Sequence, residues 1–423
     1  MVPKGWEVLH LKDVASKIQD GNYGADYPKA DEFVASGIPF LTSKVIGGIG
    51  TINPDKFDYI KEEKHQSLKK AQIVAGDILF TNRGANVGTI AIVPDYIATA
   101  NIGPQLTLVR CNDCILKEYL FQFLRGSFFQ KQIQQRDSGS AMNFFGIKDT
   151  ERFKVLVPSL SEQKRIAQIL STWDKAISVT EKLLANSQQQ KKALMQQLLT
   201  GKKRLGLPAG SYEFKITRYG SIPKDWDYPA IKEICTQVSE KNSAAVDHPV
   251  LSCSKYDGFV DSLKYFNKKV YSDDLSGYRL IHRGCFGFPS NHIEEGSIGL
   301  QNLYDTGIVS PIYVVFRASP TKVDNSYLYA VLKTDHYKQI FGAATNASVD
   351  RRGSLRWKEF NQIHVPLPPL KEQQKISAVL SAADAEITTL EKKLACLRDE
   401  KKALMQQLLT GKRRVKVDEA VAE

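Results

Sequence analysis

Nowhere in the 423-residue chain do 18 apolar residues run consecutively, so no membrane-spanning helix is expected and no membrane partner with it. Cysteine is scarce. Cys111, Cys114, Cys235, Cys253, Cys285 and Cys396 are too thinly spread for a disulfide framework. The one close pair, Cys111-x-x-Cys114, has no second CxxC or HxxxH behind it, so it reads as two ordinary thiols rather than a zinc or redox site. The opening "MVPKGWEVLHLKDVASK" has no continuous apolar core after its charges and does not read as a signal peptide, which makes the cytoplasm the expected location.

Chemistry-bearing motifs are missing too. The chain has no G-x-x-x-x-G-K-[ST], no G-x-G-x-x-G after a strand, no Asn-Pro-Pro-aromatic or Asp-Pro-Pro-aromatic motif for amino-methylation, no HExxH and no GxSxG. No catalytic residue, cofactor or metal is therefore expected. One lure remains, "NPDKFDYIKEEK" (53–64), where Asp55, Glu62, Glu63 and Lys64 mimic a metal-nuclease pattern. The intervening residues are polar and charged, with no buried strand to hold a geometry. A solvated turn and helix start is the expected structure there.

Negative charge is the remaining shortage. Against 58 Lys and Arg stand 46 Asp and Glu, a net charge of +12. That surplus suits a polyanionic partner.

What the chain does have is repetition. "KKALMQQLLTGK" occurs at 191–202 and again, letter for letter, at 401–412. The match extends backwards at the same offset, with "VPSLSEQKRIAQILS" (157–171) facing "LPPLKEQQKISAVLS" (367–381). At the front of each half "VPKGWEVLHLKDVA" (2–15) faces "IPKDWDYPAIKEIC" (222–235), and "PFLTSK" (39–44) resembles "PVLSCSK" (249–255). Two halves of about 210 residues thus keep similar ends and divergent middles, as a duplication would leave them.

The matching segments carry a heptad seam. Ile166, Leu170, Trp173, Ile177, Thr180 and Leu184 alternate steps of four and three, as do Ile376, Leu380, Ala383, Ile387, Leu390, Leu394 and Leu397. Ser159-x-x-Glu162 has the form of a capping box, and Gly201 and Gly411 stand where a glycine cap ends a helix. Two helices of about 40 residues, pairing antiparallel, are expected. The middles mix short β patterns ("DILFT", "GTIAIV", "YVVF") with one helical stretch each (116–135 and 326–341), so both are α+β domains.

Polar, glycine-containing loops lie between these elements at similar places in both halves but with different content. Asn, Arg, Ser and His there are residue types that read base edges, and lysines near them suit phosphates. The candidates in the first half are Lys44, Thr81, Asn82, Arg83, Asn86, Arg136, Ser138 and Asn143. Those in the second are Lys255, Ser290, Asn291, His292, Asn346, Arg351 and Arg352.

The paired "P-x-L-x-E-Q-x-x-I" entries (Pro158–Ile166 and Pro368–Ile376), the "ALMQQLLTGK" helix ends and the openings "VPKGW" and "IPKDW" resemble the specificity subunits of type I restriction–modification systems over the full length. The resemblance implies an α+β chain with two similar target-recognition domains (1–157 and 206–366), separated by two conserved helices (158–205 and 367–415) forming an antiparallel coiled coil with an internal pseudo-two-fold repeat, and a tail (416–423). It implies a non-catalytic reader of double-stranded DNA. Its partners would be two methyltransferase subunits and the restriction subunits, and its target two specified runs with an unspecified gap. Two other readings are a coiled-coil adaptor without DNA readout and a self-contained restriction enzyme. The first has no need of basic, loop-rich domains, and the second has no motifs.

Overall fold

A computed structural model describes residues 2–137, 144–208, 210–218, 220–243, 246–345 and 354–416, with the side chains of Ala25, Arg136 and Asp137 excepted. The chain divides into two compact units, one of residues 1–183 with 390–423, the other of residues 184–389. The linear partition expected from sequence therefore differs from the spatial one. Each unit takes part of both long helices, Leu160–Leu198 and Leu370–Leu408.

In the first unit a four-stranded antiparallel sheet has the order Ala15–Asp20, Leu106–Cys111, Ile78–Thr81, Ile90–Ile92. The central strand Ile78–Thr81 is buried along its whole length, which suits its run of β-branched and aromatic residues. Two helices, Lys117–Arg125 and Ser127–Asp137, follow, where sequence periodicity suggests one. The break falls at Gly126, where a Cβ would lie 2.9 Å from Leu409 Cδ1. Phe80, Phe129, Phe145 and Phe153 form the centre of the core, with ring centroids 4.9 to 6.1 Å apart.

The second unit repeats this plan. Its sheet runs Cys235–Val238, Tyr313–Ala318, Phe286–Pro289, Gly299–Leu300, again antiparallel throughout. Its two helices are Asn325–Leu332 and Asp335–Ala344. The middles differ. The first unit adds a five-stranded sheet containing the parallel pair Phe40–Leu41 with Asn101–Ile102. The second adds two separate ladders, Leu251–Ser254 with Gly258–Asp261 and Arg279–His282 with Thr306–Val309.

Within each unit the two long-helix segments run antiparallel. In the first, Lys401 meets Asp174 at 2.5 Å and Arg398 meets Glu181 at 2.7 Å. In the second, Lys191 meets Asp384 and Ser187 Oγ donates to Glu386 at 3.1 Å. The seam residues Ile166, Leu170, Ile376 and Leu380 are buried, while Trp173, Leu184, Ala383 and Leu390 are half-buried, because a two-helix pair leaves water on its flanks once it leaves the globular part.

The repeated end motifs close each unit. Gly201 and Gly411 adopt φ of +69° and +67°, and a Cβ on either would come within 2.3 Å of Pro223 or Pro3. The "TGK" and "PK-x-W" motifs are thus two sides of one contact. Only half of the capping box forms. The Glu162 amide meets Ser159 Oγ at 3.4 Å, but its carboxylate accepts from Trp6 Nε1 (3.1 Å) and from Arg414 (2.6 and 2.9 Å). In the second unit Arg204 clamps Glu372 (2.6 Å) and Asp225 (2.7 Å). The first unit has Gly5 where Asp225 stands, and there Arg414 turns to the Lys4 carbonyl at 2.8 Å. Gln163 and Gln373 make matching bonds, each donating to the carbonyl of the proline five residues back (2.9 and 2.8 Å) and accepting the amide of Leu116 or Asp324.

Candidate nucleic-acid interface

Each unit brings its two candidate loops together at the end of its buried central strand. In the first, the Phe145 amide donates to the Asn82 carbonyl at 2.9 Å, and Arg83 bridges to Phe144. In the second, the Leu355 amide donates to the Ser290 carbonyl at 2.7 Å. The loop after Ile78–Thr81 therefore meets the end of 136–146, and the loop after Phe286–Pro289 meets the end of 345–354. The geometry is shared and the side chains are not, since Arg83 in one unit corresponds to Asn291 in the other.

Arg83 is held in a defined pose. Its guanidinium lies 4.3 Å over the Phe144 ring, and Nε donates to Asn82 Oδ1 at 3.2 Å. Its two terminal nitrogens make no hydrogen bond among the described residues. That fork can take guanine O6 and N7 or a phosphate. Phe144 is itself 47% exposed, a π-face at the same corner.

Two expectations are corrected here. Thr81 and Asn82 are completely buried. Asn82 spends its side chain inward, donating to Thr107 Oγ1 (2.9 Å) and Asp20 Oδ1 (3.3 Å), so it supports Arg83 from beneath and cannot meet a base. Its polar character made it look like a reader, but burial makes it a scaffold. Asn86, Lys255 and His292 are exposed, and Ser290 and Asn291 are half-buried. Lys44 stands in a different sheet region, bonded to both carboxylate oxygens of Asp58 at 2.9 and 2.7 Å. Ser138, Asn143, Asn346, Arg351 and Arg352 lie outside the described residues. Arg136 falls in the last turn of its helix, with its side chain also outside them.

Beyond Lys255, residues 256–271 are not among the candidates read from sequence, yet here lysines interleave with aromatics. Tyr256 is 82% exposed, with Lys255 Nζ 5.7 Å from its ring. Tyr265 and Phe266 are also exposed, and Lys264 Nζ bonds Tyr304 Oη at 3.0 Å. Lysine–aromatic alternation was the available signal, since such surfaces combine phosphate contact with stacking. Lys333 ties this stretch to the corner loop, donating to the carbonyls of Lys255 (2.7 Å) and Gly296 (3.0 Å), and burial lowers its pKa.

Among the described residues His292, Glu294 and Glu295 alone gather three ligand atoms, within 4.8 Å of one another, and His292 and Glu295 are exposed. His292 Nδ1 is 3.4 Å from Glu295 Oε1, an ordinary surface pairing. The acidic lure at 53–64 does not converge. A short strand, Asp58–Ile60, does run through it, contrary to expectation, but Asp58 is taken by Lys44 and Lys64 by Glu32 at 3.0 Å. Cys111 and Cys114 are free thiols, and burial pushes Cys111 up to about 12. No described helix is long and apolar enough to cross a membrane.

Comparison with known proteins agrees with this plan. A family model described as "Type I restriction modification DNA specificity domain" matches residues 3–186 and again 223–397, once per repeat. A putative type I restriction enzyme specificity subunit of Methanocaldococcus jannaschii, MjaX, is 26% identical over 98% of this chain and 95% of its own length. The MjaVIII specificity subunit of the same organism is 27% identical over 98% and 94%. In fold, the chain is similar to a type I restriction–modification S subunit from M. genitalium (TM-score 0.57, 12% identity, 96% of each chain). It is also similar to a chain from a structure of a type I R-M system (TM-score 0.54, 17% identity, 98% and 100% covered). With a repeated α+β unit, a long antiparallel helix pair and a specificity-domain match in each half, the chain belongs to the family of type I restriction–modification DNA specificity subunits.

Proposed function

We propose that the chain reads a bipartite double-stranded DNA target, one half-site per repeat, with an unspecified gap between them. The observation that carries this reading is the repeated corner. The same backbone contact, Asn82 with Phe145 and Ser290 with Leu355, presents different side chains in the two units. Base edges in the major groove are told apart by donor and acceptor pattern, so a fixed frame with changed side chains gives two different readers. On this reading Arg83 and Asn86 act for the first half-site, and Asn291, His292 and Lys255, with Tyr256 next to Lys255, for the second.

The protein carries out no chemistry itself on this reading. It positions two methyltransferase subunits, and restriction subunits beyond them, on double-stranded DNA in the cytoplasm. The target base leaves the stack for a pocket in the methyltransferase. The identical "KKALMQQLLTGK" segments support two-fold docking, because two copies of one partner need two copies of one surface.

The test is replacement of residues 1–157 by the corresponding domain of another family member, followed by selection and sequencing of bound DNA. One half-site changes and the other stays. Simultaneous change of both would show that the repeats are not independent readers.

A further inference from the structure

A cavity of about 310 Å³ in the first unit lies where the junction of its two short helices faces the long-helix pair. Four cations line it, Arg125, Arg398, Lys401 and Lys402, against a single carboxylate, Asp174. Asp174 is already saturated, accepting from Gln122 (2.7 Å), Lys401 (2.5 Å) and Arg125 (3.2 Å). Arg398 is held by Glu181 at 2.7 Å. Lys402 has no hydrogen-bond or ion-pair partner among the described residues. Lys401 is 5% exposed and Arg125 is half-buried, and the two share the one carboxylate of Asp174, so one cation in excess of the anions is largely withdrawn from water. Burying cations in excess of anions is costly, and an anion entering the cavity relieves it.

The second repeat carries different charges at the same place. Helix starts and helix-pair residues correspond, so Lys191, Lys192 and Asp384 stand for Lys401, Lys402 and Asp174. Gln188 replaces Arg398, and Lys333, in place of Arg125, turns to backbone carbonyls. Most tellingly, the helix that begins at Ser127 in the first unit begins at Asp335 in the second. Asp335 pairs with Lys338 at 2.7 Å, and its pKa is lowered by Lys338 first and by Lys192 as well. The second unit thus has an exposed carboxylate, paired with a lysine where the first has Gln130, at the position where the first has a serine.

We propose that the cavity of the first unit binds a free phosphate-class oxyanion, held by Lys402, Lys401 and Arg125 beside Ser127, at the helix position that carries Asp335 in the second repeat. The cavity's size is at the lower end for small-ligand sites, roughly 300–1,000 Å³, which suits inorganic phosphate or diphosphate.

The experiment uses the full chain and inorganic phosphate, with sodium chloride at equal ionic strength as the reference. Phosphate at ten times its Kd raises the Tm of the wild-type protein by about 3–5 °C. Ser127→Asp, which installs the carboxylate of the second repeat, raises the Tm without phosphate and abolishes the phosphate response. Lys402→Ala, at an exposed position, also abolishes the response. Equal phosphate shifts in wild type and both variants would overturn the proposal. So would no shift in the wild type coupled with a weaker salt dependence of DNA binding in Ser127→Asp, which would assign the cavity to a DNA phosphate instead.

Discussion

At the scale of single residues, the strongest constraints lie where the repeats close. Gly201 and Gly411 combine a left-handed backbone with a proline ring 2.3 Å from where a Cβ would sit. Gly411→Ala and Gly201→Ala should each destabilise by about 1–3 kcal/mol or more, through backbone strain and displacement of Pro3 or Pro223, measured by urea unfolding. Asp174 is the other sensitive point. Burial pushes its pKa up, but Arg125, Lys401 and Gln122 together outweigh burial and hold the carboxyl below its usual range. A carboxylate with its folded pKa below the unfolded value of about 3.9 stabilises the protein above that value. The contribution is lost as pH falls through the folded pKa. Asp174→Asn leaves Arg125 and Lys401 uncompensated and should cost about 3–5 kcal/mol at pH 7. The gap between variant and wild type should shrink below about pH 4, and a gap constant from pH 7 to pH 3 would refute the carboxylate's role.

At the scale of elements, the long helices were the most legible part of the chain, because a heptad seam with a glycine stop depends on local spacing alone. The seam, the glycine-closed C-terminal ends and the antiparallel pairing appear as expected. The capping box was only half right, since nothing local shows that Glu162 will be claimed by Trp6 and Arg414, 156 and 252 residues away. The short helix pairs were read as single helices because apolar periodicity continues through Gly126 and through Lys333–Thr334. In the candidate interface, Arg83 was visible as a loop arginine, whereas burial of Asn82 was not, because its partners Asp20 and Thr107 come from other strands. The helices also set a testable length. A heptad inserted after Leu184 and another after Leu394 keeps the seam in phase and adds about 10.5 Å to each helix, or about three base pairs. Target selection should return the same half-sites with a gap longer by about three base pairs. An unchanged gap at full affinity would show that the helices do not set it.

At the scale of the whole molecule, a net charge of +12 predicts DNA affinity that falls steeply with salt, with a log–log slope of about −0.9 per phosphate contact. Arg83→Ala should either flatten that slope by about one contact or relax one base position at about 1–3 kcal/mol. Titrations at several salt concentrations, together with selected-sequence profiles, distinguish the two. No change in either would remove Arg83 from the interface. A different consequence follows from Arg414 reaching Glu162 and the Lys4 carbonyl. On the ribosome, residues 184–389 are a continuous stretch and have every contact of their unit available once they have emerged. The unit that begins at the N-terminus is synthesised first but waits for residues 390–416 to complete its helix pair and its Glu162 clamp. That is a delay of roughly 10–50 s at about 5–20 residues per second. The usual order of assembly is inverted, and the half made first is the half finished last.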